Sequence, residues 1–329
     1  KAWMAQQRAH WQRRDTLLHN MPFPHAEIHA GQAQLMSACE RAIGAGTALL
    51  AQAPTGVGKT LGVLFPALKA QGEGRVDKLF YLTARNAVQA EVTKALRSLV
   101  PKGKPLPLRV LVLNAKERAC VYPDRACHGE SCPRARGFYD RLPAARDEAQ
   151  REHALGLHAL KRIAASHEVC PYFLGQEMAR WADLVIGDVN YYFDTHAILY
   201  ALTEQYGWRS GVLIDEAHNL IDRCRDMYSM TLSQQAIREV SPLVQSGVRQ
   251  TLSDLDRCLD NLAALQAERD PKAPWPRYPD EPPRELRGLL QQAIKRMGRW
   301  FADDPRHASG PVLELYFDLI ALLRLLERY

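Results

Sequence analysis

The protein has 329 residues, of which 47% are hydrophobic and 24% are charged, and its net charge is +6. This composition is typical of a folded globular protein with about two domains. No apolar run reaches the roughly 18 residues that a membrane span requires, which argues against a membrane protein. The mildly basic charge permits a nucleic-acid partner but does not by itself indicate one.

The two ends of the chain predict a piece of a longer protein. The sequence begins at Lys1 with neither an initiator methionine nor the apolar segment of a signal peptide. The apolar helical pattern of residues 312–329 has no stop signal.

Seven cysteines without a secretory signal favour reduced thiols or a metal site over disulfides. We expect a cytoplasmic protein, associated with the nucleoid if it is bacterial.

Strand and helix patterns alternate along the first two-thirds of the chain. Residues 1–20 form a polar lead-in helix and linker, and further helical patterns cover residues 32–43, 59–70 and 87–99. Short apolar runs predict buried strands at residues 47–52, 78–83, 109–113, 184–186 and 212–214. Because helices connect consecutive strands, we predict an α/β fold with a parallel sheet covered on both faces.

Two regions interrupt this alternation. Residues 116–170 contain four cysteines and no clear strand, which predicts an insertion into a sheet domain made of residues 21–115 and 171–220. Strand patterns end after residue 219. Helical spacing at 237–265 and 285–301, separated by a proline-rich loop at 271–283, predicts a separate helical domain over residues 221–329.

A glycine-rich loop between a predicted strand and a predicted helix matches the Walker A pattern. Gly56 and Gly58 allow the backbone N–H groups to turn towards phosphate oxygens, and the positive end of the next helix faces the same anion. Lys59 would reach the β and γ phosphates of ATP, and the Thr60 hydroxyl would bind Mg2+. The predicted ATP contacts are Thr55, Gly56, Val57, Gly58, Lys59 and Thr60.

A second motif supplies the acidic groups that such a loop requires. Residues 211–214 form a short apolar strand, and Asp215, Glu216, Ala217 and His218 follow it. Asp215 would hold Mg2+, and Glu216 would orient and deprotonate the attacking water. His218 could couple the nucleotide to a second domain. We therefore predict Lys59, Asp215, Glu216 and His218 as catalytic residues.

Together, these motifs resemble those of superfamily 2 helicases, specifically the XPD/DinG-like iron–sulfur DNA helicases, over roughly residues 22–229. The resemblance implies a RecA-like P-loop sheet with an inserted four-cysteine cluster domain and a C-terminal, all-helical, arch-like domain. It implies that Gln32 recognises adenine, although His29 stands where the family usually has arginine. It also implies DNA-backbone contacts from Thr83, Arg85 and Gln89, with Arg85 replacing a common threonine.

Four cysteines of the insertion are candidate metal ligands: Cys120, Cys127, Cys132 and Cys170. Four thiolates suit either a [4Fe–4S] cluster or zinc, and their spacing leaves both open. The resemblance favours the cluster, because the family places its four ligands in the same interval. We interpret Cys39, Cys224 and Cys258 as core residues and His128 as exposed.

Cations and aromatic residues of the insertion suggest single-stranded DNA binding. Lys116 and Arg118 precede the first candidate ligand, and Arg134, Arg136 and Arg141 alternate with Phe138 and Tyr139. A solvated helical face remains an alternative for these residues. The segment after residue 187 resembles a DNA-contacting segment of the family, so we predict contacts from Asn190 and Tyr191, with Tyr192 and Phe193 in the core.

The sequence contains no recognisable second motor domain, which a superfamily 2 helicase requires. Gly298 and Arg299 weakly match a motif of that domain, but they lie in a helical pattern. We expect the N-terminal part of a helicase that moves 5′ to 3′ on single-stranded or forked DNA, nearly inactive by itself, with a fused or associated nuclease as a possible partner. A DNA-binding ATP switch or scaffold and an RNA helicase are alternatives.

Overall fold

The computed structural model describes residues 2–54, 56–101, 104, 106–194, 197–269 and 284–327. The chain divides into two compact units, Lys1–Asn219 and Leu220–Tyr329. We call them unit 1 and unit 2. None of the described helices combines the length and the hydropathy that crossing a membrane would require.

Unit 1 is a parallel sheet with helices between its strands, as the alternating pattern predicts. Its strands are β1 (Lys78–Leu82), β2 (Val110–Val112), β3 (Ala154–Leu155), β4 (Leu184–Gly187) and β5 (Ser210–Ile214). Its helices are α1 (Ala2–His19), α2 (Ala30–Ala45), α3 (Lys59–Gly72), α4 (Asn86–Ser98), α5 (Lys116–Ala119), α6 (Phe138–Ala149), α7 (Leu157–Ser166), α8 (Pro171–Ala179), α9 (Asn190–Phe193) and α10 (Ile198–Tyr206). The strand order is β3-β2-β4-β1-β5, and every pairing is parallel.

The central strands are buried because each carries a continuous apolar run. All residues of β1 and β4 are buried. On one face of β1, Leu79 and Tyr81 pack in the same core cluster as Leu64 of α3. On the other face, the Phe80 ring lies 5.3 Å from the Tyr192 ring. This packing fixes α3, and with it the phosphate loop, against the carboxyl end of the sheet.

Two sequence predictions about strands are wrong. Residues 47–52 form no strand and pair with no described strand, and Leu50 is 92% exposed. An apolar run becomes a strand only when a neighbouring strand satisfies its backbone groups, and no described strand does so here; the Thr47 N–H donates instead to the Ala42 carbonyl oxygen of α2. Conversely, the insertion was predicted to lack a strand, yet Ala154–Leu155 extends the sheet beside β2.

Helix α1 is an integral part of unit 1 rather than a linker. Asp183, which is 2% exposed, accepts hydrogen bonds of 2.8 Å from the Arg14 guanidinium and from the Arg109 backbone N–H, and its carboxylate lies 2.8 Å from His10 Nε2. Burial would raise the pKa of Asp183, but the His10 hydrogen bond and the Arg14 charge outweigh burial and hold it well below its usual range. This buried cluster fastens α1 to the amino ends of β2 and β4.

Unit 2 is helical throughout its described residues. Its helices are α11 (Leu220–Met227), α12 (Gln234–Val240), α13 (Ser246–Arg269), α14 (Arg284–Asp303) and α15 (Gly310–Leu326). Leu252, Leu290 and Leu319, from α13, α14 and α15, are completely buried in their common core. The predicted helix 237–265 is interrupted at Ser241–Leu243, because Pro242 lacks the N–H that a continuing helix needs. The predicted loop 271–283 lies outside the described residues.

The three cysteines predicted to be core residues differ in exposure. Cys39 and Cys258 are buried, as predicted, but Cys224 is exposed. It lies on the short helix α11, none of whose residues is buried. A helical pattern alone therefore did not identify the core side of this segment.

Candidate nucleotide and nucleic-acid site

The phosphate loop has the backbone conformation that its glycines permit. Gly56 and Gly58 have φ angles of +83° and +78°, in the left-handed region that side chains disfavour. Helix α3 begins at Lys59, so its first backbone N–H groups face the loop. The Lys59 ammonium donates to the Ala53 carbonyl oxygen at 3.1 Å. Thr55 lies outside the described residues, and its predicted contact stays a prediction.

Gln32 is hydrogen-bonded to the backbone of the phosphate loop. Its side chain is 5% exposed, and Nε2 donates to the Gly58 carbonyl oxygen at 3.1 Å. A Cβ atom added to Gly58 would lie only 2.4 Å from the same Nε2. The sequence assigned Gln32 to adenine, and that role stays a prediction. The structure adds a contact that sequence reasoning missed, between the amide and the loop backbone.

The acidic pair lies at the carboxyl end of β5. The Asp215 backbone N–H donates to the Leu82 carbonyl oxygen at 2.9 Å, which places the residue beside the end of β1. Burial and the neighbouring Glu216 charge raise the pKa of Asp215, whereas Lys59 and Arg85 oppose this rise. These electrostatic interactions place the loop lysine and the acidic pair in one site, with Arg85 close by.

Glu216 has an unusual backbone. Its φ angle is +53°, one of two positive values among the described non-glycine residues. Such a conformation costs about 1 to 3 kcal/mol and persists where the surrounding structure enforces it, often at functional sites. The Glu216 carboxylate lies 3.4 Å from His218 Nδ1, and the His218 side chain is 69% exposed. The exposed imidazole is therefore available to a partner.

Tyr81 is a member of this site that the sequence analysis did not select. It is 2% exposed and pairs with Leu213, two residues before Asp215. Burial, followed by the Asp215 charge, raises the pKa of Tyr81, while a hydrogen bond with the Thr60 side chain acts in the opposite direction. Tyr81 thus links the predicted magnesium-binding hydroxyl to the end of the strand. Its position on the face of β1 that packs against α3 is the feature that could have identified Tyr81 from the sequence.

A cleft of about 590 Å³ opens at the carboxyl ends of β1, β2 and β4. Four predicted DNA contacts line it: Gln89, Arg118, Asn190 and Tyr191. Asn114, Tyr172 and Asp188 also line it, although sequence reasoning did not select them. Asn114 lies two residues after β2, and Asp188 directly follows β4. Ligands of parallel sheets commonly bind at these strand ends, so this placement could have identified both residues.

Thr83 and two of the insertion arginines have hydrogen-bond partners within the chain, and their predicted DNA contacts stay predictions. Thr83 is completely buried and its hydroxyl accepts the Arg85 backbone N–H at 3.3 Å. The guanidinium groups of Arg134 and Arg136 donate to the carbonyl oxygens of Ala164 and Gly129 at 3.2 and 3.1 Å. These two arginines stabilise the loops of the insertion.

The aromatic residues of the insertion and of α9 differ in exposure, and one of them is more exposed than predicted. Phe138 is buried against Phe173, with ring centroids 6.1 Å apart, whereas Tyr139 is 82% exposed. Phe193 was predicted to be a core residue, but it is 38% exposed. Of these aromatic side chains, Tyr139 is the most exposed and the most available for base stacking.

The candidate cysteines have surroundings that suit thiolate ligands. The Tyr122 backbone N–H donates to Cys120 Sγ at 3.4 Å, and Lys116 hydrogen-bonds the Cys127 side chain. Burial raises the pKa of Cys170, while backbone N–H groups of residues 172 and 173 bond its sulfur and oppose this rise. N–H···S bonds of this kind stabilise ligating sulfurs.

The four cysteines do not form a recognisable metal site among the described residues. Among the described residues, no three His, Cys, Asp or Glu side chains are arranged to hold a metal ion. Cys132 is buried, whereas Cys127 and His128 are exposed, the latter as predicted. The donor chemistry therefore fits a thiolate-bound group, but the described geometry does not assemble its site.

Comparison with known proteins shows which helicases the chain is similar to. The DEAD_2 family model matches residues 84–237. The chain is 24% identical, over 322 residues, to the transcription and DNA repair factor IIH helicase subunit XPD of Dictyostelium discoideum. It is 26% identical, over 208 residues, to the Fanconi anemia group J protein homolog of Gallus gallus. The chain is therefore similar to XPD-like helicases in sequence.

The structural comparison shows a similar fold. A solved XPD helicase covers 92% of the chain with a TM-score of 0.51 at 18% identity. The chain spans 38% of the Dictyostelium XPD and 16% of the Gallus protein, and 51% of the solved helicase. Most of each curated relative therefore has no counterpart in these 329 residues.

Proposed function

We propose that the chain is the ATP-binding part of a DNA helicase that moves along single-stranded DNA and unwinds duplex. One observation carries this proposal. Asp215, at the carboxyl end of the sheet, interacts electrostatically with Lys59 of the phosphate loop and with Glu216, in a chain similar to XPD-like helicases. The names of the relatives include a DNA repair factor, which favours DNA over RNA as the substrate.

The chemistry follows from the positions of these groups. The loop N–H groups and Lys59 would bind the β and γ phosphates, and Thr60 and Asp215 would hold Mg2+. Glu216 would orient the attacking water and accept its proton. Gln32 would recognise adenine and connect it to the loop through its hydrogen bond to the Gly58 carbonyl oxygen. His218, paired with Glu216 and largely exposed, would pass the state of the nucleotide to a second motor domain, which we place elsewhere in the same parent protein.

The DNA strand would follow the cleft at the carboxyl ends of β1, β2 and β4. Gln89, Arg118 and Asn190 offer hydrogen bonds to phosphates, and Tyr191 offers a stacking surface. Lys116 and Arg85 would add positive charge on either side. The family resemblance supports movement from 5′ to 3′, a forked substrate, a cytoplasmic location (at the nucleoid in a bacterium) and a fused or associated nuclease.

We further propose that Cys120, Cys127, Cys132 and Cys170 hold a [4Fe–4S] cluster, with zinc as the alternative. A bound cluster would cross-link the loops of the insertion beside the cleft. Anaerobically purified protein should be brown and contain about four iron and four sulfide per chain. Cys170→Ser should bleach this colour, whereas Cys224→Ser, at an exposed cysteine of unit 2, should not. Colourless protein with one zinc per chain would contradict the cluster.

The helicase proposal is tested with the full-length protein on forked DNA, forked RNA and single-stranded DNA, each with ATP. Separation of the DNA fork alone supports it. Separation of the RNA fork alone would indicate an RNA helicase, and nucleotide-dependent binding without strand separation would indicate an ATP switch or scaffold. The 329-residue chain by itself should bind ATP and hydrolyse it very slowly, and rapid DNA-stimulated turnover would contradict this expectation.

A further inference from the structure

Helix α14 of unit 2 has one buried face and an opposite, exposed face whose charged side chains are all positive. Leu286, Leu290, Ala293, Met297 and Trp300 are the buried side chains of the helix. At 3.6 residues per turn, the opposite face carries exposed residues without acidic groups. We call this face the α14 ridge, which consists of Arg284, Gly288, Gln291, Gln292, Lys295 and Arg299, all exposed.

The cations of the ridge have no partners among the residues that the structure describes. No described carboxylate forms an ion pair with Arg284, Lys295 or Arg299, although other arginines of unit 2 are paired. Arg257, for example, lies 3.1 Å from Asp254, and Arg306 lies 2.6 Å from Asp304. A solvated helical face normally mixes both signs of charge, whereas the ridge carries one sign.

The acidic residues of α14 lie at its two ends. The helix has only two, Glu285 in its first turn and Asp303 at its last residue, and neither forms an ion pair with a described ridge cation. The sequence between them contains none, so Lys295 in the middle of the ridge has no acidic residue three or four positions away. Glutamine side chains at 291 and 292 add hydrogen-bond donors between the cations, and Gly288 leaves the surface open, with no atom within 4 Å of an added Cβ.

We propose that the α14 ridge binds the phosphate backbone of duplex DNA; this inference rests on the proposed helicase function. From Arg284 to Arg299 the helix rises about 22 Å, which is close to the rise of six base pairs. Arginine, lysine and glutamine are typical phosphate contacts. Single-strand sites also present aromatic side chains to unstacked bases, and the ridge has none. The ridge therefore suits a duplex, whose bases are already stacked.

The test compares the 329-residue chain with Lys295→Gln/Arg299→Gln, a variant that keeps helix propensity and removes two charges. Its control, Arg225→Gln/Arg257→Gln, removes two charges from unit 2 at arginines already paired with Asp222 and Asp254. Binding of a labelled 20-base-pair duplex and of the corresponding single strand is measured by fluorescence anisotropy at several salt concentrations. Circular dichroism melting checks that each variant is folded.

The ridge variant should bind duplex about tenfold more weakly at low salt, and the slope of log K against log salt should fall by about 2. Single-strand binding and the control variant should be unchanged. Equal losses in both variants, equal losses for both DNAs, or an unchanged duplex slope would each overturn the inference. Loss of binding to a polyglutamate peptide with duplex binding intact would assign the ridge to an acidic protein and also overturn it.

Failure of this inference and failure of the helicase proposal are distinguishable. If the unaltered chain binds neither single-stranded nor duplex DNA, the proposed function is wrong. If it binds single-stranded DNA and the ridge variant keeps full duplex affinity, only the ridge inference is wrong.

Discussion

Replacing Gly58 with alanine tests how the phosphate loop is supported. Gly58 has a φ angle of +78°, and its carbonyl oxygen accepts the Gln32 amide. The new methyl group would lie 2.4 Å from Gln32 Nε2, which is too close for any real Cβ contact. Gln32 would have to move, and the hydrogen bond that connects α2 to the loop would break.

Two costs add at this position. An alanine in the left-handed region costs about 1 to 2 kcal/mol, and loss of the Gln32 hydrogen bond costs about 1 kcal/mol. If both fall on the nucleotide-binding conformation, the total of about 2 to 3 kcal/mol weakens ATP binding roughly 30- to 150-fold.

The assay is titration of the 329-residue chain with a fluorescent ATP analogue in Mg2+, with thermal denaturation measured in parallel. Gly74→Ala is the matched control, because Gly74 has a φ of +69° but no atom within 4 Å of an added Cβ. It should lower stability by about 1 kcal/mol and leave nucleotide affinity unchanged. Introduced into Gln32→Ala, Gly58→Ala should cost about 1 kcal/mol less than in the unaltered chain, since the clash is gone.

Unchanged nucleotide affinity in Gly58→Ala would refute this account of the loop. An equal cost of Gly58→Ala in the presence and absence of the Gln32 side chain would show that backbone strain, rather than the contact with Gln32, determines the effect.

Two further predictions concern buried groups. Asp183→Asn removes the buried charge that Arg14 and His10 contact, while Asp15 remains 2.7 Å from Arg14, so urea denaturation at pH 7 should show about 1 to 3 kcal/mol less stability. The folded-state pKa of Asp183 is lowered, so the stability that Asp183 contributes is complete above about pH 4 and is lost as the pH falls towards the folded-state pKa. The Asp183→Asn variant should lack this loss of stability in acid. An acid denaturation profile equal to that of the unaltered chain would contradict the role of the cluster. Tyr81→Phe removes the hydroxyl beside Thr60 and should raise the Mg2+ concentration for half-maximal nucleotide binding by about threefold to tenfold. An unchanged Mg2+ dependence would remove Tyr81 from the site.

Local patterns predicted the elements that local sequence determines. The start of α3 at Lys59 and the strands β1, β2, β4 and β5 lie within a few residues of their predicted positions. Each combines an apolar run or helical spacing with a clear boundary residue. The parallel sheet followed from their alternation.

Features that depend on distant partners were not predictable in the same way. Residues 47–52 contain four consecutive apolar residues, but no described strand pairs with them. The role of α1 depends on Arg14 and Asp183, which are 169 positions apart. The buried state of Thr83 follows from the hydrogen bond between its backbone N–H and the Gly187 carbonyl oxygen, a contact between two strands that sequence spacing cannot reveal.

The central claim is that ATP hydrolysis at the Glu216 site drives strand separation. Its most direct test is single-turnover unwinding of forked DNA by the full-length protein, comparing Glu216→Gln with Glu204→Gln, a substitution at an exposed glutamate of α10. Glu216→Gln should bind ATP and DNA normally but unwind at least about 100-fold more slowly, because loss of a general base slows a reaction by roughly this factor. Glu204→Gln should unwind at the rate of the unaltered protein. Unwinding by Glu216→Gln at that same rate would contradict the account.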